Sequence, residues 1–327
     1  MDADVQSALS GGGEWAEGGA IAALLEYLKE RDYRFVTPTP ATHARILTRE
    51  GGRQAENLRD IFGWSLPFDP RQIDPVLWRM LEEGRLVERH KGGAKSRVRV
   101  SSLGDDLFLH SAYPTTGQDA VFFGPDSYRF ARLIADELGG CPRHDGGRLV
   151  DIGTGAGVGA IVAAHLRPSL QIAMTDINPV ALRLAEVNAR AAGVKARFFQ
   201  TGDISSLEGN FDLILANPPY IADNAGRSYR DGGDLHGGEV SLEMARQAVP
   251  RLAAGGRFIL YTGSAIVAGE DRLHQQLASL AQEKGCRLRY AEIDPDVFGE
   301  ELEGEAYRHV ERIALVSAII GHHPDSR

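Results

Sequence analysis

Apolar and polar residues follow two different rhythms along this chain of 327 residues. In the first third the spacing is mostly helical. Ile21, Leu24, Leu25 and Leu28 recur on one face of a helix expected over Ala20–Arg31, which Thr37-Pro38-Thr39-Pro40 breaks. A second helical pattern starts at Ala41, with Ile46, Leu47, Leu58 and Phe62 as core candidates. Asp69-Pro70 and Asp74-Pro75 both read as a capping residue followed by a first-turn proline, and the second leads into Val76, Leu77, Met80 and Leu81. That helix ends near Gly84. Lys91-Gly92-Gly93-Ala94-Lys95 is then a tight basic turn, and Ser96–Ser101 alternates through Arg97-Val98-Arg99-Val100 as a strand.

Residues 104–120 read as a linker, after which Val121–Ser127 opens a helix carrying Tyr128, Phe130, Leu133, Ile134 and Leu138 and closed by Gly139-Gly140. Past Gly146-Gly147 the rhythm changes to short apolar runs alternating with amphipathic helices, the mark of a βαβ sheet. Strands are expected at Arg148–Ile152, Gln171–Thr175, Lys195–Gln200, Phe211–Ala216, Gly256–Thr262, Arg287–Ile293 and Val310–Val316. Helices fit Ala160–Leu166, Asn178–Ala192, Val240–Leu252 and Gly269–Lys284. The expected organisation is a flexible leader over 1–19, an N-terminal domain over 20–118, an α/β domain over 119–320 and a tail over 321–327. Helices followed by a glycine-tipped hairpin resemble a winged-helix module. Arg85, Arg89, Lys91, Lys95, Arg97 and Arg99 would give it a basic edge for nucleic acid, or merely a soluble, protected sheet edge.

Composition removes several classes. A net charge of -9 argues against coating nucleic acid or anionic membrane by bulk charge. Cys141 and Cys286, far apart, make neither a disulfide framework nor a zinc cluster, and a cytoplasmic setting is expected. His322-His323-Pro324 reads as a frayed end, so no metal site is expected. No run approaches membrane-spanning length, and the acidic start Met1-Asp2-Ala3-Asp4 is unlike a secretory signal.

The chemistry lies at the strand ends. Gly153-Thr154-Gly155-Ala156-Gly157 turns the first strand of the α/β region into a helix, with glycines that let the backbone pass close to a ligand. Asp151 precedes it, where a carboxylate suits a cationic ammonium and repels a pyrophosphate. Asp176 ends the next strand at the separation expected for an acid that accepts from both ribose hydroxyls. Asp203, after the third strand, is placed to accept an adenine amine, with Ile177 and Ile204 against the ring. Each acid could instead be a helix cap; three around one glycine turn favour a nucleoside ligand. The fourth strand stops in Asn217-Pro218-Pro219-Tyr220, which puts an amide, bare carbonyls and an aromatic ring at the ligand end of a parallel sheet. An ordinary turn is the bland alternative.

Asp151-Ile152-Gly153-Thr154-Gly155-Ala156-Gly157 together with Asn217-Pro218-Pro219-Tyr220 resembles the class I S-adenosylmethionine-dependent amino-methyltransferases, and most of all the release-factor glutamine methyltransferases. The resemblance covers roughly residues 121–317 and leaves out the N-terminal region. It implies a Rossmann-like seven-stranded sheet with an antiparallel last strand, and S-adenosyl-L-methionine as methyl donor. Gly124-Pro125-Asp126-Ser127 resembles the family's upstream motif, which implies that Asp126 flanks the methionine moiety. The resemblance also implies that Asn217, Pro218, Pro219 and Tyr220 hold a planar amino group, with Tyr220 able to stack on it. The acceptor is expected to be a protein glutamine, in a translation factor for instance, or else an exocyclic base amine in RNA or DNA. A non-catalytic nucleotide-binding module is the alternative from another class. The glycine-rich stretch 223–239 is a candidate substrate lid, and the oligomeric state is open.

Overall fold

The computed structural model describes residues 12–49, 51–139, 146–222 and 229–322, with side chains from Gly18 onward. Two compact units emerge. One comprises residues 1–115, 122–125 and 187–193, the other residues 116–121, 126–186 and 194–327. Residues 1–11 of the expected leader, Cys141 and the tail from His323 lie outside the described residues.

The first unit opens with helix α1 (Gly12–Lys29). It starts within the expected leader because its glycines, each costing about 1 kcal/mol against alanine in a helix, mask the pattern. Leu24, Leu25 and Leu28 are fully buried. Then come α2 (Pro40–Arg49), α3 (Leu58–Phe62) and α4 (Pro75–Glu83). Helix α4 begins as its sequence predicts: Asp74 caps it by accepting from Val76 N at 2.8 Å, and Pro75 needs no N–H in the first turn. Asp69-Pro70 forms only a turn, closed by Gln72 N donating to Asp69 O, because Asp74-Pro75 restarts the chain so soon after it.

Strands β1 (Val87–His90) and β2 (Gly93–Ser96) form the glycine-tipped hairpin, with Lys91 and Gly92 both at positive φ. Phe68 bridges β2 at Ala94. The expected strand Ser96–Ser101 is divided. Strand β3 (Val98–Leu103) pairs with β4 (Asp106–Ser111), so the first eight residues of the expected linker belong to a second hairpin. The basic edge is accordingly smaller than expected. Arg99 is 4% exposed and donates from Nε to Gly63 O at 2.9 Å, and Lys95 donates to Tyr113 O, while Arg85, Arg89, Lys91 and Arg97 remain exposed. Alternation fails here because β3 is buried along nearly its whole length.

The second unit is built on one mixed sheet. In chain order its elements are α5 (Pro125–Gly139), β5 (Arg148–Ile152), α6 (Val158–Leu166), β6 (Gln171–Asp176), α7 (Pro179–Ala191), β7 (Ala196–Gln200) and β8 (Phe211–Ala216). They continue as α8 (Asp234–Gly237), α9 (Glu239–Ala248), β9 (Leu252–Val267), β10 (Glu270–Asp271), α10 (Arg272–Glu283), β11 (Cys286–Asp294) and β12 (Arg312–His322). The strand order is β11-β12-β9-β8-β5-β6-β7, with the short β10 folded back on β9. Strands β5 to β9 run parallel along this path, and β12 is antiparallel to β9. Strand β12 is longer than expected and takes in Gly321 and His322 of the tail. Ile214, Phe258, Leu260, Leu273, Leu277, Ala318 and Ile320 share one core cluster. Strand β8 is apolar without alternation, as a central parallel strand buried on both faces must be. Among the described residues no helix is long and apolar enough to cross a membrane.

Candidate active site

Register brings the predicted residues to one edge of the sheet. Ile152 pairs with Thr175 on one side and Ala216 on the other, and Ala216 pairs with Leu260. The chain leaves β5 into the glycine turn, β6 into Asp176 and β8 into Asn217 at one level, with neighbouring strands about 4.8 Å apart. This is the carboxyl edge, where open α/β sheets bind ligands.

Gly153, Gly155 and Gly157 all have positive φ, at 64°, 56° and 85°. A Cβ on Gly155 would meet nothing within 4 Å, so its bare backbone faces open space. Asp151 lies beneath this turn, 2% exposed. Its Oδ2 accepts from the Thr154 hydroxyl at 2.7 Å and from Ala160 N at 3.1 Å. Thr154 is therefore a strut for Asp151. Burial, with a smaller contribution from the charge of Asp176, pushes the Asp151 carboxyl up to about 7. A cation arriving above the turn would favour the ionised form again.

Asp176 is half-buried and ties the turn to the second strand. One oxygen accepts from Gly155 N at 3.0 Å, the other from Asn178 N at 2.9 Å. Burial raises its carboxyl above the ordinary range. A carboxylate offers about four lone-pair directions, more than its backbone donors Gly155, Asn178 and Ile177 fill.

Asp203 is exposed and caps the short 3-10 turn Ile204–Ser206, taking Ser205 N at 2.7 Å and the Ser205 hydroxyl at 2.6 Å. These bonds hold its carboxyl below the usual range. Of the two isoleucines expected against the adenine ring, only Ile177 stands open, 62% exposed. Ile204 is fully buried in the sheet core, where its apolar side chain packs with β5 and β8 rather than at the surface.

An S-adenosyl-L-methionine donor suits this set. Its sulfonium and ammonium are cations, and the open glycine backbone is ringed by Asp151 and Asp176, each with its charge state biased by burial. Asp151 and the turn would hold the methionine end, and Asp176 the ribose.

Asn217 is half-buried, and its amide has no hydrogen-bond partner among the described residues. Pro218 is buried and Pro219 half-buried. Tyr220 departs from expectation. It is 7% exposed and belongs to the packing, so it offers no open face for stacking. A Cβ on Gly263 of β9 would come within 2.9 Å of Tyr220 Cε2, and the Phe298 ring lies 5.9 Å away.

The stretch after the motif is in part folded back against Tyr220 and Ile221. Residues 223–228 lie outside the described residues. Beyond them Ile221 bridges Asp231, and Gly232 N donates to Ile221 O at 2.8 Å. Added Cβ atoms would stand 2.7 Å from Tyr220 Cα at Gly232 and 2.6 Å from Tyr220 C at Gly237, so this backbone needs glycine. Arg230 pairs with Glu301. Tyr307 accepts from Ala222 N at 2.7 Å, and His236 is held by Ala306 O at 2.8 Å. Sequence reasoning leaves Tyr261, Gly263, Phe298 and Tyr307 unmarked. The glycine pairs at 232–233 and 237–238 were the visible signal that backbone must pass closely here.

The chain is similar to known methyltransferases. The methyltransferase small domain family matches residues 131–283. A release factor glutamine methyltransferase of Deinococcus radiodurans is 32% identical over 212 residues, 63% of this chain and 73% of that protein. A ribosomal RNA small subunit methyltransferase C of Shewanella amazonensis is 38% identical over 125 residues, 38% of this chain and 34% of that protein. Among solved structures, a ribosomal protein L11 methylase from Lactobacillus delbrueckii subsp. bulgaricus aligns over 60% of this chain and 80% of its own, with 19% identity and a TM-score of 0.41. With the glycine turn and its acids at one sheet edge, and a relative matched over most of its length, the chain belongs to the S-adenosyl-L-methionine-dependent methyltransferase family represented by the release factor glutamine methyltransferases.

Proposed function

We propose that this methyltransferase acts on the side-chain amide of a glutamine in a protein, a translation factor being the substrate its relatives' names suggest. The observation that carries the reading is the register of Ile152 with Ala216, which sets the glycine turn and Asn217 side by side at the sheet edge. An amide nitrogen is a poor nucleophile because its lone pair is delocalised. The Asn217 Oδ1 and the Pro218 carbonyl each accept one of its two N–H bonds, which orients the nitrogen and favours its pyramidal form. Pro218 and Pro219 bring no N–H of their own to compete. When bound, the donor supplies an electrophilic methyl on a sulfonium. Transfer to that nitrogen would form the N–C bond as the S–C bond breaks, leaving the electron pair on sulfur, and the nitrogen's proton would pass to water, so no strong base is needed.

Asn217→Ala is expected to leave the affinity for S-adenosylhomocysteine within about threefold while cutting turnover by about 100-fold or more. Equal loss of both would show Asn217 to be structural. A second reading, methylation of an exocyclic base amine in RNA or DNA, is supported by the similarity to the ribosomal RNA methyltransferase and by the exposed Arg85, Arg89, Lys91 and Arg97. Labelled donor incubated with cell extract separates the two: label that disappears on nuclease treatment overturns the glutamine reading.

A further inference from the structure

We propose that Asp126 is a positioning residue for the acceptor motif, joining the first turn of α5 to Tyr220, in the turn after β8, and Tyr261 on β9. The inference rests on the reading that Asn217–Tyr220 holds the acceptor.

The Asp126 side chain is nearly enclosed, the residue being 7% exposed. Its Oδ1 accepts the Tyr261 hydroxyl at 3.0 Å. Arg129, one turn along α5, stands 3.6 Å from the same oxygen and 3.4 Å from Asp294 Oδ2, which divides its charge between two acids. The hydroxyl of Tyr220 is buried against this carboxylate. It has no hydrogen bond of normal geometry to Asp126 or to any other described group. Burying a carboxylate costs several kcal/mol, and leaving a hydroxyl unsatisfied costs about 1–3 kcal/mol more. A sheet edge serving only as scaffold would gain by replacing such a trio with apolar side chains.

Geometry gives the trio a use. Tyr220 directly follows Pro219, so a fixed Tyr220 holds the far end of the turn that carries the Pro218 carbonyl. Gly263 packs close on the ring, and Gly232 and Gly237 pack close on the Tyr220 backbone. The hydroxyl is the polar end of the ring that this packing leaves unpaired, and the Asp126 carboxylate is the acceptor that would anchor it. Tyr261 follows Leu260, the register partner of Ala216, so on β9 it stands one residue along from the level at which β8 ends before Asn217. Asp126 thus refers the acceptor turn to two strands and one helix at once.

The test compares Asp126→Asn, Tyr220→Phe and the double variant with wild type. Turnover is read as labelled methyl incorporated into untreated cell extract, and donor-site integrity by calorimetry with S-adenosylhomocysteine. Each single variant is expected to lower kcat about ten- to hundredfold, with KM for the donor and affinity for S-adenosylhomocysteine unchanged. The double variant should lose no more than Asp126→Asn alone, as expected of two residues acting through one contact. Additive losses, or weakened S-adenosylhomocysteine binding in Asp126→Asn, would overturn the proposal and make Asp126 a structural or donor-binding residue. Wild-type label found only in nuclease-sensitive material would overturn the glutamine reading and leave this comparison intact. Wild type that labels nothing would overturn both.

Discussion

Gly159, the second residue of α6, offers a sharp test of how the donor site is built. It lies in ordinary helical backbone, so alanine there would by itself stabilise the helix by about 0.5–1 kcal/mol. The surroundings reverse the sign. A Cβ at this position would sit 2.8 Å from Phe130 Cε1 and 3.1 Å from both carboxylate oxygens of Asp151. Carbon–carbon contact is comfortable near 3.5 Å, so the ring or the helix must give way by about 0.7 Å. Overpacking of this kind costs about 1–3 kcal/mol, which outweighs the helical gain and leaves a net loss of about 1–2 kcal/mol. Thermal unfolding should therefore begin a few degrees earlier, at about 2–4 °C per kcal/mol. The second consequence is functional. Asp151 cannot retreat without loosening its bonds from Thr154 and Ala160, and those bonds aim it at the glycine turn. Affinity for S-adenosylhomocysteine should fall about tenfold or more in calorimetry. A Gly159→Ala protein as stable as wild type, with unchanged affinity, would refute the account of how Asp151 is held.

Asp176→Ala removes the carboxylate that anchors Gly155 N and Asn178 N and that is proposed to bind the ribose. S-adenosylhomocysteine should bind about 100-fold more weakly, and a change under threefold in titration calorimetry would argue against the ribose role. Gly263→Ala should displace the Tyr220 ring and lower turnover by about 100-fold with donor affinity retained; normal turnover would mean that Tyr220 does not set the acceptor geometry. In the first unit His43 is fully buried, with Nε2 at 3.0 Å from Trp64 O and stacked on Tyr113. Burial first, then the positive charges of Arg99 and Lys95, push it down to about 4. It is neutral in the fold, so its contribution is full above the unfolded value near 6.5 and is lost as pH falls from there toward 4. The loss is worth about 3 kcal/mol at most. Urea unfolding at pH 7 and pH 4.5 should show the drop, and His43→Gln should show a smaller one; equal drops would exclude His43 as its source.

Much of this protein was legible in the order of its residues. The alternation of short apolar runs with amphipathic helices, the glycine turn after Asp151, the acid at the end of the next strand and Asn217-Pro218-Pro219-Tyr220 after the fourth are local patterns. Local backbone and hydrogen-bond chemistry is enough to produce them: parallel strands read as continuous apolar runs, and a ligand turn needs glycine. What the tertiary structure decided were the directions and partners of side chains. Arg99 reads as one more surface cation until β3 proves to be enclosed and Phe35 and Gly63 receive its guanidinium. Ile204 is apolar beside an acid in either setting, and only the fold says that it fills the core. Tyr220 looks like a stacking ring in the tetrapeptide, yet Gly263, 43 positions later in a different strand, takes up that face. Asp126 reads from its motif as a neighbour of the donor, and only the fold adds that its carboxylate accepts the Tyr261 hydroxyl. The reason is the same in each case. Short-range order follows from the residues themselves, whereas burial and pairing depend on segments that meet only when the sheet assembles.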